Sequence, residues 1–91
     1  MKTKEAKVAI FIKSDGSDSV VKPEQGYEFE LKELQAYVDG YIELVHLEND
    51  KILVVNEDGL LKRLPLNKKA TFLARQPIVG NVVLIDSTEI S

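Results

Sequence analysis

The five residues VAIFI, Val8 to Ile12, constrain the fold more than any other stretch. Val8, Ile10 and Ile12 alternate with Ala9, Phe11 and the following Lys13, and β-branched residues dominate, so Val8 to Lys13 reads as a strand. Both of its faces are apolar, which places it inside a sheet and not at an edge. It is far too short for the core of a secretory leader, and no small-residue cleavage site follows it. No stretch of the 91 residues approaches the roughly 20 apolar residues of a membrane span. A soluble cytoplasmic protein is expected, one domain over 1–91 with an ordered core at about 7–86 and a fraying tail at 87–91.

The elements after this strand are marked by turn chemistry. SDGSDS, Ser14 to Ser19, reads as a loop, because Asp-Gly and repeated serines favour local turns. KPEQGYEF, Lys22 to Phe29, is irregular. A helix follows, with Glu30 at the N-cap, Glu33 completing a weak capping box, and Leu31, Leu34 and Val38 as its apolar stripe. Gly40 is expected to supply the left-handed residue that ends it. YIELVHL and KILVVN form an antiparallel hairpin across END, followed by the turn NEDG and a short third strand, LLKR. Pro65 ends pairing there. Asn67 is a good N-cap for a helix to about Arg75 with Ala70, Leu73 and Ala74 inward. GNVVLID is the last strand. The fold class is α+β: a mixed or antiparallel sheet of four to five strands and two short helices, in the order β-α-β-β-(β)-α-β. That is close to the ferredoxin-like arrangement, and an irregular α+β sheet fits equally well.

The absence of cysteine excludes a disulfide staple, a thiolate metal site and a cysteine nucleophile. His46 is the single histidine; it shares a strand face with Ile42 and Leu44 and is expected to be half-buried. The five glycines fit no phosphate-binding loop, and Glu57 and Asp58 lack the spaced ligands of a calcium loop. No catalytic residue, metal or cofactor is expected. The net charge of −3 is unevenly spread: Glu24 to Asp58 carries ten acids against Lys32 and Lys51, a net of −8, and Leu60 to Ile85 carries five bases and no acid, a net of +5. The two halves are expected to mix on one surface. The basic run contains only Phe72, assigned to the core, so nucleic-acid binding is not expected. Tyr37 and Tyr41 flank the helix end, their rings expected to cap the core.

The blocks FELKELQAYVDGYIELVHL, VVNEDGLLKRLPLNKKATFLA and IVGNVVLID together resemble a family catalogued as domain of unknown function 3846, small proteins of phages, plasmids and conjugative elements. The likeness spans Gly26 to Asp86 and falls on Leu34, Gln35, Gly40, Tyr41, Ile42, Glu43, Asn56, Glu57, Gly59, Pro65, Asn67 and Ala70. Glu30 stands where the family usually has Thr, and Asp39 where it often has a second glycine. The resemblance implies an accessory protein of a mobile element in bacterial cytoplasm, acting by binding.

The expected function is therefore that of a small non-enzymatic binding protein. The alternative is an inhibitor or modulator of a host defence enzyme, docking through the acidic segment 24–58. The candidate contact residues are Tyr41, Glu43, Asn56, Glu57 and Asn67, and the partner is a protein or a small ligand. Adjacent strands bring Tyr41 and Glu43 toward Asn56, and Asn67 opens a helix whose free N–H groups suit an anion. Against this, Asn56 and Asn67 are also what a turn and a helix cap require. Glu43, read on a central strand, needs a partner or solvent. Pairing of an edge strand across a two-fold axis would make a homodimer.

Overall fold

In the computed structural model, residues 8–24 and 28–86 are described. The expected tail at 87–91, and Lys7 at the start of the expected core, lie outside them. Five strands, β1 (Ala9–Ile12), β2 (Asp18–Val21), β3 (Ile42–His46), β4 (Lys51–Asn56) and β5 (Val82–Asp86), form one sheet in the order β2-β1-β5-β4-β3. Helix α1 (Leu31–Val38) precedes β3, and α2 (Lys68–Ala74) precedes β5. All four strand pairings are antiparallel. The α+β class holds, and VAIFI lies inside the sheet as its two apolar faces require.

The order of elements differs from expectation at two places. The loop assigned to SDGSDS is shorter than its composition suggests. Lys13 N–H donates to Ser17 O at 2.8 Å and Gly16 N–H to Lys13 O at 3.0 Å, which reverses the chain. Inside this turn Ser17 donates its hydroxyl and N–H to the Asp15 carboxylate, holding that carboxyl below its ordinary range. Asp18 and Ser19, weak strand formers, are thereby carried into β2 opposite Ile12 and Phe11. Tertiary pairing overrides propensity here. With β2 present the order becomes β-β-α-β-β-α-β, and the sheet departs from the ferredoxin-like pattern: α2 joins β4 to its adjacent antiparallel partner β5, where a split βαβ unit joins parallel strands with another strand between them.

LLKR is the second difference. It is not a strand. Lys62 N–H donates to Asp58 O, Arg63 N–H to Leu60 O and Leu64 N–H to Gly59 O, and Arg63 is left-handed at φ 55°. This is one helical turn closed by a Schellman motif. Adjacent leucines on a strand point to opposite faces, so LLKR never offered a one-sided apolar stripe. Pro65 does end regular structure, leaving only a bridge between Leu66 and Val79.

The expected β3–β4 hairpin is present, with Ile42 opposite Asn56 and His46 opposite Ile52. Asn49 and Asp50, both left-handed, give it a tight type I′ turn. β3 is an edge strand and not a central one. That exposes Glu43 and His46, so the expected half-buried histidine is instead at the surface.

The helices lie on opposite faces of the sheet. On the α1 side Leu34 and Val38 pack on Ala9, Ile52, Val54, Val83 and Ile85, with Phe11, Phe29 and Tyr37 around them. The Phe11 and Tyr37 rings sit 4.8 Å apart, so Tyr37 caps this core as expected. Burial, with Glu33 and Glu24 nearby, pushes the Tyr37 hydroxyl above its ordinary pKa. Leu31 is exposed and contributes nothing to the expected stripe. On the α2 side Ala70 packs with Ile12, Leu53, Val55, Ile78 and Val82. Leu73 is only partly covered, and Phe72, assigned to the core, is 83% exposed. A seven-residue helix has two turns, and its inward stripe is used by Ala70 and Ala74.

Candidate functional site

Asn56 closes β4 and is 5% exposed. Its Nδ2 donates to Val38 O at 2.9 Å and Asp39 O at 3.1 Å, the last carbonyls of α1, and its Oδ1 accepts from Asp58 N–H at 2.8 Å. One side chain thus satisfies the C-terminal carbonyls that a helix leaves open and shapes the turn that follows its own strand. The left-handed residue at the helix end is Asp39 (φ 61°, ψ 49°), one position before the expected Gly40, a conformation that aspartate tolerates. Gly40 is needed for space: a Cβ there would lie 2.7 Å from Asn56 Nδ2 and 3.1 Å from Lys62 Nζ. Lys62 reaches Asp39 O at 3.5 Å, placing a cation at the negative end of α1. Gly59 meets a similar limit, since its Cβ would lie 2.8 Å from Val79 Cγ2.

Asn67 does the corresponding work for α2. It is 0% exposed. Its Oδ1 accepts from Ala70 N–H at 3.0 Å, the expected N-cap. Its Nδ2 donates to Ile12 O at 3.1 Å and Gly80 O at 2.9 Å, tying the helix start to the end of β1 and to the segment entering β5. Thr71 extends the tie: its Oγ1 accepts from Ile78 N–H at 2.9 Å and donates to Ile78 O at 3.2 Å.

Of the five candidate contact residues, the fold brings three together. Glu57 N–H donates to Tyr41 O at 2.9 Å, with Asn56 between them in sequence and pairing. Tyr41, unlike Tyr37, does not cap the core as expected: it is 67% exposed, and Glu57 is exposed too. Glu43 projects to the α2 side with Val45, away from Asn56, which faces α1. Asn67 is enclosed on the α2 side, with its Oδ1 filling the N-cap position that an anion would take. A shallow cleft of about 270 Å³ lies beside Tyr41, lined also by Gln35, Gly40, Asp58 and Lys62. The other wall of this end is the 58–63 turn, which leaves Leu60 75% and Leu61 84% exposed.

Acidic and basic segments meet at the surface, Arg75 with Glu48 at 3.8 Å, while Lys69 pairs with Asp18 and Lys51 with Asp86. Among the described residues no three His, Cys, Asp or Glu side chains converge to hold a metal, and no helix is long and apolar enough to cross a membrane.

The family model described as Domain of unknown function (DUF3846) matches residues 7–90. The chain belongs to the DUF3846 family. No curated protein and no solved structure matches it. The residues that carried the DUF3846 resemblance acquire physical roles in the fold. Gly40, Asn56 and Gly59 build the α1 clamp, and Asn67 and Ala70 build the α2 clamp. Sequence reasoning missed Lys62, Thr71 and the exposed Leu60–Leu61 pair. Only the last had a local signal, two adjacent leucines in an otherwise charged turn.

Proposed function

We propose that this DUF3846 member is a non-enzymatic protein-binding module of a phage or other mobile element, acting in bacterial cytoplasm through its Tyr41 end. The observation that carries this reading is the exposure of Tyr41, Leu60 and Leu61 on backbone fixed by the Asn56 clamp and the Schellman turn. Large apolar groups held rigidly in water have no folding role, and tyrosine with flanking apolar side chains is the composition of an interface centre. Asp39, Glu57 and Asp58 flank this end beside Lys62 and Arg63, a small acidic excess that favours a partner with a basic rim. A host enzyme met by the acidic part of 24–58 fits that description, and such docking weakens with salt. The cleft at this end is shallow and about 270 Å³, near the lower limit for small-molecule pockets, which favours a protein contact there.

A photo-crosslinking residue at Leu61, compared in host cells with one at the exposed Lys32 on α1, tests this. The expected result is an adduct of discrete mass from position 61 alone, lost when Tyr41→Ala is added. Identical adducts from both positions would reject the Tyr41 end as the contact surface.

A further inference from the structure

Among the described residues, half of the α2 face is left uncovered and carries a second surface, separate from the Tyr41 end. The strand registers align Val45, Leu53, Leu84, Ile10 and Val20 in one row across the full width of the sheet. Burial falls along that row. Leu53 is fully buried, Leu84 half-buried, Ile10 exposed and Val20, on edge strand β2, 69% exposed. Helix α2 starts beside Ile12 and runs toward the β3–β4 hairpin, where Arg75 meets Glu48, so it leaves the Ile10–Val20 part uncovered. Phe72 projects beside that part: Phe72, Leu73, Ile10 and Leu84 line one groove. The same face therefore holds an apolar knob and, next to it, an apolar floor.

We infer that this face seats a second copy of the chain, each Phe72 resting on the partner's Ile10–Val20 floor across a two-fold axis. A knob and a floor side by side on one surface are self-complementary, which an isologous interface requires. Charge supports the choice of occupant. The whole chain carries only −3, so two copies repel weakly overall. Around this groove Asp18 is paired with Lys69 and Asp86 with Lys51, and Lys68 adds one positive charge to the lining. The rim is close to neutral, so a strongly charged partner gains nothing there and a like copy is not repelled. Burial of exposed apolar side chains then drives the association.

Analytical ultracentrifugation of the full chain from micromolar to millimolar concentration tests the inference. The expected result is a reversible dimer of twice 10.2 kDa. Phe72→Glu and Val20→Lys should each weaken it at least ~30-fold, the scale of a hot-spot loss, with the melting temperature of dilute protein unchanged. Because the chain has no cysteine, a mixture of Val20→Cys and Phe72→Cys chains should also cross-link with each other through a short bifunctional reagent. A monomer at every concentration would overturn the proposal. So would a dimer indifferent to both substitutions, which would place the contact elsewhere, for example at β3. A fall in the dilute melting temperature with Phe72→Glu would overturn it too, because the face would then be covered by the chain itself.

Discussion

The two asparagine clamps do similar work in different surroundings. Asn56 and Asn67 each make three side-chain hydrogen bonds to backbone, and each ties a helix end to the sheet. Asn56 acts at the C-terminus of α1 on one side of the sheet, near enough to water that Asp39 O also meets the exposed Lys62. Asn67 acts at the N-terminus of α2 on the other side, where nothing but protein reaches its partners. The difference separates two requirements that a sequence motif merges. Asn67 holds the fold; Asn56 holds the fold and also sets the shape of the surface that Tyr41 and the 58–63 turn present.

Asn67→Ala should be the most damaging change. It removes the amide donor to Ile12 O and Gly80 O and the acceptor for Ala70 N–H in a dry site, a cost of about 3–4 kcal/mol and a fall of roughly 15–25 °C in melting temperature. Asn56→Ala should cost less, about 2 kcal/mol by chemical denaturation, because water and Lys62 can serve Asp39 O. A cost equal to that of Asn67→Ala would erase the distinction between the two sites. Gly40→Ala should cost about 1–2 kcal/mol by pushing on the Asn56 amide. Combined with Asn56→Ala it should be strongly non-additive, since the second change removes the group that the first one strikes. Tyr41→Ala and Leu61→Ser should alter stability by less than ~0.5 kcal/mol, as exposed positions do, while abolishing the cross-linked adduct.

The smallest effect concerns pH. The Tyr37 hydroxyl has a raised pKa, chiefly from burial and then from Glu33 and Glu24. A raised value means that its contribution is complete below the ordinary tyrosine pKa of 10.0 and is lost as pH climbs through the folded value. Alkaline titration of stability should therefore fall above that point, and Tyr37→Phe should flatten the fall while keeping the Phe11 contact.

What the sequence disclosed follows the range of each interaction. The Asn67 cap was legible because Oδ1 meets a donor three residues away. Its Nδ2 acceptor at Ile12 is 55 residues away, and nothing local announces it. β3 and β4 were legible from alternating apolar runs and a turn between them. β2 was not, since Asp18 and Ser19 join a strand only because β1 is there to pair with. Phe72 was placed in the core on hydrophobicity alone, yet on a two-turn helix the inward positions were already taken by Ala70 and Ala74. Glu43 was read on a central strand because the number of strands outside β3 is a property of the whole chain.

The central claim is that Asn67 acts as much through its amide donor as through its capping oxygen. Equilibrium unfolding of Asn67→Asp beside Asn67→Ala tests this directly. Aspartate caps helices about as well as asparagine, but it cannot donate to Ile12 O or Gly80 O and would set a carboxylate against them. Asn67→Asp is predicted to be at least as unstable as Asn67→Ala near neutral pH. Stability close to that of the unaltered chain would contradict the account and reduce Asn67 to an ordinary cap.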